Sequence, residues 1–463
     1  MDRTLQISRR GVLGGAATLA TVGSAGAQAD ASAVPSFVRT GADAARDRAF
    51  WDQIAGLYDV DRTMANLENG YWGIMAKPVL AEYIRQTERI NRQNTAYART
   101  KFGADSDAVV AALARTAGVD KTEIALTRGA TEAMQDLIVN YNRLQAGDAV
   151  LYADLDYDSM QFAMEWLKDR RGVGVVKIAV PEPASKQAIL DAYAKAIAET
   201  PRLRLILLTH VSHRTGLIMP VKEIAAMARA KNIDVILDAA HSWGQLEFDI
   251  ADLGVDFIGF NLHKWIGAPV GLGFLYIRKG RLDAIDRHYG DGSFDPNDIR
   301  TRVHTGTANF AAILTLPLAL RVHEAIGTPA KAARLRYLRD RWVAKARALP
   351  NVEVLTPDEP GLAAGITSFR IRNKGSREDN NALVGALRDK HGVLTVRGDG
   401  VARGQCIRVS PALYTTEDEV DRLVAALAAE AAMGIAGAGA KCRRRWSRFG
   451  LNRQINCQSR IID

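Results

Sequence analysis

Residues 257–277 read FIGFNLHKWIGAPVGLGFLYI. The two flanks of this stretch, FIGFN and VGLGFLYI, are apolar enough to be strands buried on both faces, and between them stands Lys264. An unpaired ammonium among apolar groups is costly, so such a lysine must be neutralised, paired or held in a covalent bond. The alternative is that it snorkels from a strand end into water. The rest of the chain has to decide between them.

Outward from this stretch the pattern alternates. EIALTRG, DAVLYADLDY, GVGVVKIAV, LRLILLTHVS and DVILDAAHS read as strands. ATEAMQDLIVNY, SMQFAMEWLKDR, KQAILDAYAKAIAE and PVKEIAAMARAKN, lying between strands, have helical spacing. The expected class is therefore α/β, with a mainly parallel sheet covered on both faces. Upstream, DRAFWDQIAGLYDV, KPVLAEYIRQTERINRQNTAY and SDAVVAALARTAG also read as helices. Beyond residue 311 a long helical region (311–348) leads into short strands and further helices, which predicts a smaller C-terminal α+β domain. The expected division is an N-terminal segment at 28–75, a large domain at 76–310 and a small domain at 311–433. No internal repeat is visible.

The terminal segments differ from this body. SRRGVLGGAATLATVGSAGAQA (residues 8–29) pairs Arg9-Arg10 with an apolar stretch and small residues, which reads as a twin-arginine signal over 1–27, cut after Ala27. An uncleaved N-terminal anchor or a chance match is the alternative; the stretch is too short and too rich in Gly and Ala to span a membrane well. The expected location is periplasmic or secreted, or cytoplasmic if the signal is not used. Residues 434–463 hold seven Lys and Arg against one Asp and no apolar period, which reads as a disordered basic tail. Most of the net charge of +9 lies there, so the body is nearly neutral and shows no nucleic-acid footprint. At 48% hydrophobic and 24% charged residues the composition is that of an ordinary globular protein. Cys406, Cys442 and Cys457 form neither a disulfide framework nor a zinc pattern.

Ligands of open α/β sheets bind at the carboxyl ends of the strands. Those ends read TRGATEA, LDYDS, HVSHRTG, LDAAHSWG and NLHKW, and they carry ionisable or aromatic side chains where apolar strands stop. Gly129-Ala130-Thr131 opens a helix and could face an anion, or could be an ordinary tight turn. Asp238 closes a buried strand; it either caps the next segment or neutralises a cationic ring nitrogen. His213, His241 and His263 lie at neighbouring strand ends, but no i, i+4 pair or Cys-rich spacing supports a metal.

A lysine, an aspartate one strand earlier and a small-residue phosphate turn are what a pyridoxal phosphate site requires. Over about residues 60–430 the chain resembles the class V aminotransferase family of fold-type I pyridoxal phosphate enzymes. Within that family it looks most like the isopenicillin N epimerase branch, with cysteine desulfurases and kynureninases more distant. HVSHRTGLIMPV, LDAAHSWGQ, FNLHKWIGAPVGLGFLY and IRVSPALYTTEDEVDRLVAAL carry the resemblance.

The resemblance implies pyridoxal 5′-phosphate held on Lys264 as a Schiff base, with Asp238 at the pyridinium nitrogen and His241 near the phenolic oxygen. It implies Ala130, Thr131, Asn261 and His263 around the phosphate, and Thr307 reaching the phosphate of a second subunit, hence a homodimer with shared sites. Tyr157 takes the place of a ring-stacking histidine, and His213 that of a residue touching the ring oxygen. Arg408 would grip the α-carboxylate of an amino acid or peptide substrate. Cys406 stands two residues before Arg408 inside an apparent strand, so desulfuration through a cysteine nucleophile is not expected. Epimerisation is favoured by overall resemblance; transamination, β-elimination or a non-catalytic cofactor-binding protein are the alternatives.

Overall fold

The computed structural model describes residues 42–433 together with Val34 and Phe37. The twin-arginine segment 1–27 and the basic tail 434–463 lie outside the described residues. Strand β1 (Ala65–Asn66) belongs to the N-terminal segment. Seven strands build the large sheet: β2 (Ile124–Thr127), β3 (Ala149–Ala153), β4 (Gly174–Ile178), β5 (Leu203–Thr209), β6 (Asp234–Asp238), β7 (Phe257–Asn261) and β8 (Gly273–Ile277). A smaller sheet follows from β9 (Val352–Val354), β10 (Thr367–Ile371), β12 (Val396–Gly398) and β13 (Cys406–Val409), while β11 (Val393–Leu394) pairs with β1.

The helices are α1 (Arg48–Gly56), α2 (Lys77–Thr100), α3 (Phe102–Ala117), α4 (Ala130–Val139), α5 (Asp158–Arg171), α6 (Lys186–Glu199) and α7 (Val221–Arg229). They continue with α8 (Phe310–Ile326), α9 (Thr328–Ala346), α10 (Arg377–His391) and α11 (Glu417–Met433). Several begin on side-chain caps: Ser185 accepts from the Ala188 amide, Asn309 from Ala312 and Ser376 from Asp379.

The large sheet has the order β2-β8-β7-β6-β5-β3-β4. Strands β3 to β7 are mutually parallel where they pair, and β8 alone runs opposite to both its neighbours. The uninterrupted apolar run of β5 has a direct cause. Leu205 and Leu207 pack with Met134 and Leu137 of α4 and Met164 of α5, while Ile206 and Leu208 pack on the other face with Ile189 of α6 and Ile224 of α7. Because strand side chains alternate, a strand covered on both faces must be apolar at every position. Each such side chain contributes about 1.5–3 kcal/mol by burial.

The small sheet, order β12-β13-β10-β9, is antiparallel and lays Phe369, Ile407 and Val409 against Leu338 and Trp342 of α9 and Leu423 and Leu427 of α11. Ala65 and Leu67 join this cluster, so the segment before α2 packs with residues more than 300 positions later. The helical region 311–348 is two helices, bent by 71° at Gly327, whose φ of +81° favours glycine. Helix α8 packs on α2 and α3, and α9 on α11. Among the described residues no single helix is long and apolar enough to cross a membrane.

Strand register aligns the functional edge. Thr209 pairs with Asp238 and Asp238 with Gly259, while Gly273 pairs with both Asn261 and Thr127. The ends of β2, β5, β6 and β7 therefore meet along one side of the sheet.

Candidate active site

That side opens into a cavity of about 410 Å³. Ala130, Thr131, Tyr157, His213, Asp238, His241, Asn261, His263, Lys264 and Arg408 all line it. Thr307 does not: it is exposed in the loop before α8.

Lys264 does not snorkel away from the sheet. It follows β7, is partly buried, and its Nζ lies 2.9 Å from Nε2 of His241. Desolvation pulls its ammonium down to about 8; the charge of Asp238 opposes this, and that of Arg408 assists it. His241 is pushed well below its ordinary value, first by burial and then by the Lys264 charge, so it is neutral and can accept from the amine. Its other ring nitrogen is buried without a protein partner. Asp238 accepts from the Ala240 amide at 2.9 Å; burial raises its carboxyl, and the Ala240 bond and Lys264 counter that rise.

The turn into α4 is tight. A Cβ on Gly129 would lie 3.1 Å from Asn261 Oδ1, a tight contact, and 3.5 Å from His263 Cε1, an ordinary one, so the turn packs closely on the end of β7. One detail departs from the sequence expectation for Ala130. Its amide donates to Asn261 Oδ1 at 2.7 Å, because β7 ends directly beside the start of α4. What remains for an anion is the Thr131 hydroxyl, the next first-turn amides, which have no intrahelical acceptor, and the amide nitrogen of Asn261. His263 places Nδ1 3.1 Å from the Leu272 carbonyl and is held neutral, down to about 4, chiefly by burial.

The Tyr157 ring meets His213 edge-on, centroids 5.1 Å apart. His213 is depressed well below its usual value by burial, with the charges of Arg214, Arg408 and Lys264 adding to it. Arg408, on β13, donates from Nη1 to the His213 carbonyl at 2.7 Å and pairs with Glu68 through Nε and Nη2. Cys406, two residues before it, is fully buried, with Sγ 3.6 Å from the Arg214 carbonyl. Burial raises its thiol to about 11, so it is no thiolate nucleophile.

Among the contributors that sequence reasoning missed are Gly70, Tyr71 and Thr209. Gly70 and Tyr71 line the cavity from ENGYWG at 68–73, where Gly73 donates its amide to the His263 carbonyl at 2.9 Å. The aromatic–glycine composition of that run was the available signal. Thr209 also lines the cavity and donates to the buried Asp156 at 2.7 Å; Asp156 is raised to about 7 by burial and by Asp238 nearby. Among the described residues no group of three or more His, Cys, Asp and Glu could hold a metal.

Several known proteins are similar to this chain. Isopenicillin N epimerase of Streptomyces clavuligerus is 29% identical over 396 residues, covering 82% of this chain and 98% of that protein. A cysteine desulfurase of Pectobacterium carotovorum is 30% identical over 344 residues, 69% of this chain and 79% of its own. In fold the chain matches the cystine C–S lyase C-DES, solved with its product cysteine persulfide, at a TM-score of 0.68 and 24% identity, over 79% of this chain and 97% of that one. The architecture is that of fold-type I, with its large mainly parallel sheet. The family model for class-V aminotransferases runs from residue 79 to 423, taking in every strand of the large sheet, and the chain belongs to the class-V aminotransferase family.

Proposed function

We propose that this protein is a pyridoxal-phosphate enzyme acting at the α-carbon of an amino acid or an amino-acid-containing peptide, and that its reaction is an epimerisation. The residues present fit the cofactor: an amine drawn to about 8, a buried carboxylate, and a first helical turn that opens on a glycine packed closely against Asn261. Lys264 would hold it covalently, Asp238 at the ring nitrogen, His241 beside the ring oxygen, and Thr131, Asn261 and His263 at the phosphate. When bound, the cofactor supplies an electron sink that makes the α-hydrogen of an attached amino acid acidic.

The chain's own groups do the rest. Lys264, as a free amine with its affinity lowered to about 8, accepts a proton near neutral pH, and neutral His241 keeps that amine oriented. Tyr157 and His213 share the cavity wall, and the Tyr157 hydroxyl is the candidate group to return a proton. Arg408 receives the substrate carboxylate.

The observation that carries the reading is the Lys264 amine, in the cavity and bonded to His241. Epimerisation is supported by the alignment with isopenicillin N epimerase over 98% of that protein. The burial of Cys406 speaks against a sulfur-accepting cysteine. A second reading, C–S lyase action, is supported by relatives named cysteine desulfurase and by a 31% identical putative L-cysteine desulfhydrase of rice, aligned over 47% of this chain. Elimination needs no cysteine nucleophile.

Incubation of the holoenzyme with a panel of amino acids in deuterated water tests both. Deuterium at Cα with loss of chirality and no keto acid supports epimerisation; accumulating keto acid overturns it, and sulfide with pyruvate from cysteine or cystine selects the lyase. The same proposal includes export by the twin-arginine route and a homodimer in which Thr307 serves the neighbouring site.

A further inference from the structure

Arg408 does not stand alone in the cavity wall. Its side chain is almost buried, and three of its five N–H groups already have protein acceptors. Nη1 donates to the His213 carbonyl at 2.7 Å, Nε reaches Glu68 Oε2 at 3.3 Å, and Nη2 bonds Glu68 Oε1. The count leaves one N–H on each terminal nitrogen, the two donors that a carboxylate takes from a guanidinium fork. Glu68 itself is not part of the cavity wall, whereas Arg408 is.

Glu68 is also held from its own side. The Asn69 amide donates to the Ser410 carbonyl at 3.1 Å, and the Ser410 amide donates to the Leu67 carbonyl at 2.7 Å, tying the backbone around Glu68 to the end of β13. Gly70 lies close to the guanidinium, where a Cβ would come within 3.3 Å of Arg408 Cζ. The arginine is thus fixed by a carboxylate and a carbonyl, with a glycine packed close to its Cζ.

We infer that Glu68 is a positioning residue for substrate recognition: it locks Arg408 so that the guanidinium presents its two unused donors to the α-carboxylate of the amino acid. The inference rests on the reading of Arg408 as the carboxylate site given above. Glu68 lies outside the cavity wall and bonds Arg408 directly; its smaller, last-ranked influence on the Lys264 ammonium bears on alanine and ethylamine alike, so the difference between the two ligands reads the Arg408 role. Its opposite would be a competitor, a carboxylate that substrate must displace.

The two roles predict opposite effects. In the holoenzyme, binding is read from the change of the visible cofactor band during titration with L-alanine and with ethylamine, the same molecule without its carboxylate. E68Q and E68D are measured together, so that one misfolded variant leaves the other; cofactor content per subunit and melting temperature identify the folded ones. The expected result is about tenfold weaker alanine binding, the equivalent of one charge-assisted hydrogen bond, with ethylamine changed by less than about twofold. Tighter or unchanged alanine binding in a folded variant overturns the inference, as does equal weakening of both ligands. A parent holoenzyme that responds to neither alanine nor any other amino acid overturns the substrate reading and this inference with it. A parent that responds while the folded variants match it removes this inference alone.

Discussion

Lys264 sits under opposed influences. Desolvation and the Arg408 guanidinium favour its neutral amine, while the carboxylates of Asp238 and Glu68 favour the ammonium; the balance lies at about 8. Only the neutral amine can attack an aldehyde, so uptake of pyridoxal phosphate by the cofactor-free protein is expected to accelerate with pH to a midpoint near 8. Asp238→Asn removes the largest influence that raises this amine, and the midpoint is expected to move to lower pH. Stopped-flow absorbance across a pH series reads the midpoint separately from the amplitude, which the variant is expected to lower through the proposed loss of the ring-nitrogen partner. A midpoint that stays or rises would show that Asp238 does not act on Lys264.

At the scale of elements, the bend between α8 and α9 brings a second buried amine against the active-site loop. Lys331 of α9 is buried, donates to the Trp265 carbonyl at 2.6 Å, and lies 2.9 Å from Nδ1 of His323 on α8. Among the described residues no carboxylate is bonded to it, and burial lowers its ammonium to about 7. In the unfolded chain the same amine titrates near its ordinary value of about 10.4. As pH falls between those two values the unfolded state takes up the proton first, so this group destabilises the fold progressively over that window. Lys331→Met abolishes that slope but leaves the Trp265 carbonyl without its donor. The variant should therefore compare worst with the parent near pH 9–10 and regain ground toward pH 7. Melting temperatures of both proteins at several pH values check the sign.

At the scale of the whole molecule, the described residues from 42 onward fold the N-terminal segment onto the C-terminal layer: β1 pairs with β11, and Arg62 bonds Glu419 at 2.8 Å. Closing the chain on itself in this way puts ENGYWG over the Lys264 loop and Glu68 behind Arg408. Thr307 is the one expected site residue outside the cavity, and it is exposed. The proposed homodimer accounts for that position. Light scattering is expected to give twice the subunit mass, and Thr307→Ala to hold cofactor more weakly at unchanged mass. A monomer that retains cofactor as well as its variant would remove the shared-site proposal.

Features that depend only on neighbours along the chain were legible in the residues. Alternating apolar runs named the α/β class, strand ends located the chemistry, and an ionisable residue inside the 257–277 stretch marked Lys264. Both periods and strand termini are local properties, readable within a dozen residues. Which distant groups meet is set by the folded chain. Glu68 and Arg408 are 340 positions apart, Asp156 and Thr209 are 53 apart, and Lys331 and Trp265 are 66 apart. Such pairings follow from strand register and helix packing, where a shift of one residue turns every side chain to the other face, and no local pattern encodes that alignment.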